Sequence, residues 1–127
     1  MKKRVGYFSG TDTGVLTGLV CEGYDTIPVS NGRDNHGQHV RLINEQNRYA
    51  VLIAPVHKIF TPEDCPPDDI TYQDVFRLCR LYSIPLLIGV PARLEAKART
   101  LLGDPPEIVR MVEPSKMFEL AIESLAD

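Results

Sequence analysis

The chain has 127 residues, of which 43% are hydrophobic and 24% charged, a composition typical of a globular protein rather than of a disordered or fibrous one. Its formal charge of −3 and its scattered Lys and Arg residues argue against nucleic acid or an anionic membrane as a partner. No apolar run approaches the roughly 20 residues of a membrane helix, and the run after the basic residues 2–4 is too short for a signal peptide. We expect a single domain, residues 1–127, in the cytoplasm.

Apolar runs of strand length alternate with segments of helical periodicity, which predicts successive βα units around a parallel sheet. The predicted strands lie at about 3–8, 25–29, 50–55, 84–89 and 107–112. The predicted helices lie at about 13–22, 36–47, 70–83, 91–102 and 114–126.

The third and fourth predicted strands are apolar on both faces, which places them inside a sheet covered by helices above and below. We therefore predict an α/β fold, a three-layer α/β/α sandwich with a five-stranded, mainly parallel sheet in the flavodoxin-like order 2-1-3-4-5. This order reverses between the first and third strands. Ligands of such folds bind beside that reversal, at the carboxyl ends of the strands.

The three cysteines, Cys21, Cys65 and Cys79, form no CxxC pair, so the sequence favours neither a disulfide framework nor a zinc site. Cys79 has the spacing of a helical core position and is predicted to be a small buried hydrophobe. We expect no metal and no cofactor. The long connection at residues 56–69 has the length of a functional or mobile loop.

The chain leaves the first predicted strand through Ser-Gly-Thr-Asp-Thr-Gly, residues 9–14, and then enters a predicted helix. Free amides and the dipole at a helix N-terminus attract anions, hydroxyls add donors, and glycines allow close approach. The stretch matches neither common nucleotide fingerprint, so it predicts a site for a phosphate monoester or inorganic phosphate. Alternatively, Thr11, Asp12 or Thr13 serves only as a helix cap. The candidate phosphate-binding residues here are Ser9, Gly10, Thr11, Thr13 and Gly14.

Two further loops open onto the same end of the predicted sheet. Residues 30–38 combine a turn with donors, a cation and a carboxylate. Within them Asp34 is a candidate general base, or else a cap for the next predicted helix. The third loop brings His57 and Lys58 just past the third strand.

Together the three loops resemble the methylglyoxal-synthase-like domains. Residues 9–14 are similar to the family's Thr-Gly-Thr-Thr-Gly phosphate loop with one residue inserted, and residues 32–36 to its Gly-Gly-Asp-Gln-Gln segment. Residues 74–86, DVFRLCRLYSIPL, are similar to a helix and strand of the family. The resemblance runs from residue 4 onward. It does not include the additional N-terminal βα unit of the synthases. In those enzymes this unit supplies a histidine, an aspartate and a phosphate-binding lysine.

The resemblance implies a site for a phosphorylated metabolite. In the synthase, an aspartate takes a carbon-bound proton from dihydroxyacetone phosphate, and phosphate is then eliminated. Carried over, this implies Asp34 as the base, His57 as a hydrogen-bond donor or acid, and Asp74 at an acidic family position. The phosphate would be held by the first loop together with Ser30, Gly32 and Arg33 or Lys58.

Three functions remain open at this point. The chain is a binding module for a phosphorylated metabolite, a synthase-type lyase, or an enzyme of another class that uses His57 as acid and base. The site departs from the synthase pattern, because His57 stands where the synthase has an aspartate and Thr71 where it has a histidine. The resemblance also implies a closed homo-oligomer.

Overall fold

The computed structural model describes residues 3–32, 36–60 and 70–126. These residues form a six-stranded sheet with helices on both faces. The strands are β1 Arg4–Tyr7, β2 Asp25–Ser30, β3 Gln38–His39, β4 Val51–Pro55, β5 Leu86–Gly89 and β6 Val109–Val112. Their order is β3-β2-β1-β4-β5-β6, and each neighbouring pair is parallel. The predicted α/β class and sandwich are confirmed, and without β3 the order is the predicted 2-1-3-4-5.

The additional strand, β3, was not predicted from the sequence. It is a two-residue strand at the edge of the sheet, and it pairs with the end of β2 through Val29 with Gln38 and Ser30 with His39. The predicted five-stranded sheet is therefore one strand too small.

The predicted helix over residues 36–47 is wrong. After β3 the chain forms one 3₁₀ turn, Val40–Leu42, and then a tight turn. The Asn44 side chain accepts hydrogen bonds from the amides of Gln46 and Asn47, and such local bonds compete with helix formation. Gly37 lies so close to the backbone of β2 that a Cβ atom there would overlap it, which favours strand pairing.

Within the described residues, five helices follow the strands: α1 Thr13–Cys21, α2 Val56–Ile59, α3 Tyr72–Tyr82, α4 Glu95–Leu101 and α5 Met117–Leu125. Short 3₁₀ turns, Ala92–Leu94 and Pro114–Lys116, precede the last two helices. Helix α4 ends where Gly103 and Asp104 adopt left-handed φ angles of 68° and 61°. No helix of these residues has the length and apolar character needed to cross a membrane.

The helices divide between the two faces of the sheet. Helices α1 and α5 contact each other and pack on one face, with Val15, Leu19 and Ala121 in its core. Helices α3 and α4 supply the core of the other face. Strands β4 and β5 are buried on both faces, as predicted. The chain thus turns to opposite faces after β1 and after β4, which makes their carboxyl ends the reversal point of the fold.

Helix α3 buries Cys79 completely, which confirms it as a small core residue. Burial raises the pKa of its thiol to about 12, because the thiolate would lose its hydration there. We predict that Cys79, as the only cysteine of a Cys21→Ser/Cys65→Ser variant, does not react with Ellman's reagent in the folded protein at mildly alkaline pH. Unfolding in guanidinium chloride should release full reactivity.

A Cys65→Ser/Cys79→Ala variant is the control, since it retains only the exposed Cys21 and should react without unfolding. Equal reaction rates of the two folded variants would contradict the buried position of Cys79.

Candidate functional site

Three loops meet at the carboxyl end of the sheet, those that follow β1, β2 and β4. A Cβ atom placed on Gly10 would lie 3.5 Å from both Cε1 and Nε2 of His57. The side-chain amide of Asn31 donates a hydrogen bond of 2.9 Å to the Lys58 carbonyl oxygen. The loops after β1 and β2 therefore both contact the first turn of α2, which presents an exposed His57.

Gly10 is required where it stands. Its φ angle of 91° lies in the left-handed region, which a side chain disfavours. A Cβ atom would also lie 3.2 Å from Cγ of Pro55 and close to the His57 ring. The left-handed φ angle and the close Pro55 ring, rather than the histidine, are what favour glycine at this position.

Asp12 is the N-cap of α1, as the alternative interpretation of this loop predicted. Its Oδ2 accepts a hydrogen bond of 3.2 Å from the Val15 amide. The Thr11 hydroxyl donates to the Phe8 carbonyl oxygen at 2.7 Å, and the Thr11 amide donates to the same oxygen at 3.3 Å. Thr11 therefore uses both of its donors to close the turn.

The free hydrogen-bond donors at the start of α1 are the backbone amides of its first two residues. Thr13 and Gly14 are exposed, and the amides at these positions of a helix have no partner within it. The hydroxyl groups of Ser9 and Thr13 lie in the same stretch. An anion at this point would meet these two amides, and it would also lie near the Asp12 carboxylate.

The loop after β2 is fixed by its own polar groups. Ser30 and Asn31 are 3% and 6% exposed, and the Ser30 hydroxyl accepts a hydrogen bond of 3.0 Å from the Gly32 amide. Gly32 has a φ angle of 93° and lies against the His39 ring. These contacts assign Ser30 and Gly32 to the shape of the turn. The role of Asn31 was missed, since nothing in the sequence pairs it with the third loop.

Arg33 and Asp34, the predicted cation and general base, lie outside the described residues. His36, just after them, bonds through Nδ1 to the Val29 carbonyl oxygen at 3.1 Å, so this nitrogen carries a proton. The His36 ring lies edge-on to Tyr7, with 5.2 Å between the ring centres. The second loop thus folds back over the end of β1.

Asp74 begins α3. Its Oδ2 accepts hydrogen bonds from the Thr71 amide at 2.9 Å and the Thr71 hydroxyl at 3.2 Å, and its Oδ1 from Arg77 at 3.2 Å. With the bond from the Asp74 amide to the Thr71 hydroxyl, these contacts form a capping box. Asp74 lines a shallow groove with Arg41 and Arg77, and the residues lining that groove include neither His57 nor the first loop.

A cavity of about 130 Å³ lies beside the first loop, between the ends of β4 and β5 and the starts of α1 and α5. Gly10, Thr11 and Asp12 form one of its walls, and the other walls are mainly aliphatic. A larger open groove, about 540 Å³, lies between α3 and residues 102–106, away from the three loops. The sequence could not predict the cavity, because its walls come from four separate segments of the chain.

The three loops bring the first amides of α1 and the imidazoles of His36 and His57 to the carboxyl end of the sheet. Among residues 3–32, 36–60 and 70–126, no cluster of His, Cys, Asp and Glu side chains is arranged to hold a metal ion. The sequence matches no protein-family model and no curated protein. Its function is therefore inferred from the residues of the site itself.

The Asp12 carboxylate can be tested by two substitutions. Asp12→Ala removes the cap of α1 and should lower the free energy of unfolding by about 1 kcal/mol. Asp12→Asn retains a capping oxygen and should stay close to wild type, while it removes the negative charge. Added inorganic phosphate should therefore raise the urea midpoint of the Asn variant more than that of wild type.

Urea unfolding with and without phosphate measures both effects. Equal stability of wild type and the Ala variant would show that the cap contributes nothing. An equal phosphate response of wild type and the Asn variant would show that the carboxylate does not oppose an anion.

Proposed function

We propose that the chain is a methylglyoxal-synthase-like domain that binds a small phosphorylated metabolite, or inorganic phosphate, at the carboxyl end of its sheet. The proposal rests on the contact between Gly10 and His57, which brings an imidazole to the free end of α1. It is also supported by the reversal of the strand order between β1 and β4, where ligands of such folds bind. A cytoplasmic, closed homo-oligomer belongs to the same proposal, through the family resemblance.

The phosphate in this proposal lies over the first turn of α1. The amides of Thr13 and Gly14 and the hydroxyls of Ser9 and Thr13 donate to its oxygens, and the helix dipole adds partial positive charge. His57 donates from the opposite side, as a charge-assisted bond when its ring is protonated.

The second loop completes the site in this proposal. The hydrogen bond from Asn31 to the Lys58 carbonyl oxygen holds the turn at residues 30–32 against α2. Ser30 and Gly32 shape that turn. By the family resemblance, Arg33 or Lys58 serves as a cation of the site and Asp34 as its acidic group.

A second candidate function, a lyase acting on dihydroxyacetone phosphate, is favoured by the position of His57 at the phosphate loop. In this reaction Asp34 removes a carbon-bound proton and His57 donates a hydrogen bond to the oxygen of the resulting enediolate. The carbon–oxygen bond to phosphate then breaks, and the enol product takes up a proton to give methylglyoxal. Asp74 is left out of this chemistry, because it caps α3.

Calorimetric titration with inorganic phosphate tests the binding function. We predict saturable binding that weakens tenfold or more in Thr13→Val, because a hydrogen bond to a charged group contributes about 1.5–3 kcal/mol. Thr17→Val is the matched control, since Thr17 is exposed one turn further along α1. Absence of saturable binding, or equal affinities in the two variants, would show that residues 9–14 form only a turn.

Incubation with dihydroxyacetone phosphate tests the lyase. If the second candidate is correct, methylglyoxal forms, and Asp34→Asn abolishes its formation because the base is lost while phosphate binding is retained. A colorimetric assay of methylglyoxal measures the rate. Equal rates for wild type and Asp34→Asn would reject the lyase and leave the binding module.

A further inference from the structure

We infer that the cavity beside residues 9–12 is a specificity pocket for the carbon part of the bound ester, and that this part is apolar, a short branched alkyl group or a small ring. The inference rests on the proposed function, since the phosphate at the start of α1 would hold the ester in place. It names the class of ligand, which the anion site alone does not.

The position of the cavity connects it to the anion site. Gly10, Thr11 and Asp12 form one of its walls, and the next two residues are the proposed amide donors. On the other side the cavity reaches Gly89 at the end of β5. A phosphate over the first turn of α1 can therefore direct its ester group past the loop toward the carboxyl ends of β4 and β5.

The walls of the cavity select for apolar groups. Val15, Ile53 and Met117 line it, and all three are at least nine-tenths buried. The carboxylate in the wall, Asp12, already accepts a hydrogen bond from the Val15 amide. A hydroxylated carbon chain would lose its water here and gain few hydrogen bonds in return, whereas an apolar group would lose nothing.

The size of the cavity limits the group that it takes. Its volume of about 130 Å³ is slightly smaller than the ~150 Å³ of an engineered apolar cavity in another protein that binds benzene. A branched alkyl group of about four carbons fits this space, and a flat ring is near the limit. The three-carbon hydroxyketone chain of dihydroxyacetone phosphate is small enough but too polar, so this pocket belongs with the binding function and not with the lyase.

The space depends on the absence of a side chain at Gly89. A Cβ atom on Gly89 would point toward Met117 and lie 3.5 Å from its Cε, an ordinary contact distance. The φ angle of Gly89 is not left-handed, so Gly89→Ala adds one methyl group without backbone strain. This substitution reduces the cavity and leaves residues 9–14 unchanged.

Titration of inorganic, isobutyl and glycerol phosphates into the full chain tests the inference, and phenyl phosphate is added for one variant. Isobutyl phosphate should bind about tenfold tighter than inorganic phosphate, because its alkyl group leaves water, and glycerol phosphate should show no such gain. Gly89→Ala should remove most of the gain and leave the affinity for inorganic phosphate unchanged. Met117→Ala should shift the preference toward the larger phenyl phosphate.

Met111→Ala is the matched control, because Met111 packs on the opposite face of the sheet. It should leave the order of the three ligands as in wild type. Equal binding of isobutyl and glycerol phosphates by wild type would overturn the inference. So would a Gly89→Ala variant that binds isobutyl phosphate as tightly as wild type.

Isobutanol separates this inference from the proposed function. If inorganic phosphate does not bind, the proposed function fails, and isobutanol tests the pocket without any phosphate. Methyl NMR shifts of Val15 and Met117 on addition of isobutanol, reduced in Gly89→Ala, would support an apolar pocket. Unchanged methyl shifts in wild type would overturn it.

Discussion

The proposed site depends on the close approach of two loops, where the His57 ring lies beside Gly10. The left-handed φ angle of Gly10 turns the chain sharply after β1, and a residue with a side chain would be strained there. A larger residue would strain the turn and crowd the Pro55 ring at the end of β4. The approach of the loops after β1 and β4 would then change.

The sheet could be predicted because its signal is local. Strands β4 and β5 are short apolar runs between turns, and their burial on both faces follows from that composition. The order of the five predicted strands follows from the regular alternation of strand and helix. The helix predicted for residues 36–47 was wrong, because the structure of this segment depends on its neighbours. Gly37 lies against the backbone of β2, and the turn at Asn44 replaces helical hydrogen bonds.

The site could be predicted only in outline. Glycines and hydroxyls after β1 indicated where the loop lies, but the sequence left open whether Asp12 would cap the helix or face a ligand. Asp74 carries an acidic side chain in a family-like stretch, yet its partners are those of a helix cap. The bond between Asn31 and Lys58 joins residues 27 positions apart, a distance that no local pattern describes.

The electrostatics of the first loop set the affinity that this site can reach. Asp12 stabilises α1 through the Val15 amide, and its charge opposes an anion at the same helix end. The helix dipole acts in the other direction. In the proposed function, the apolar pocket beside this helix end gives the ligand a second source of binding energy in addition to its phosphate.

The most direct test of the proposed site is a crystal structure of the protein crystallised in the presence of selenate. The anomalous scattering of selenium locates the anion. The account predicts a selenate over the first turn of α1, within hydrogen-bond distance of the Thr13 and Gly14 amides and of the His57 ring. A well-ordered first loop with no anion, or with His57 turned away from Gly10, would contradict it.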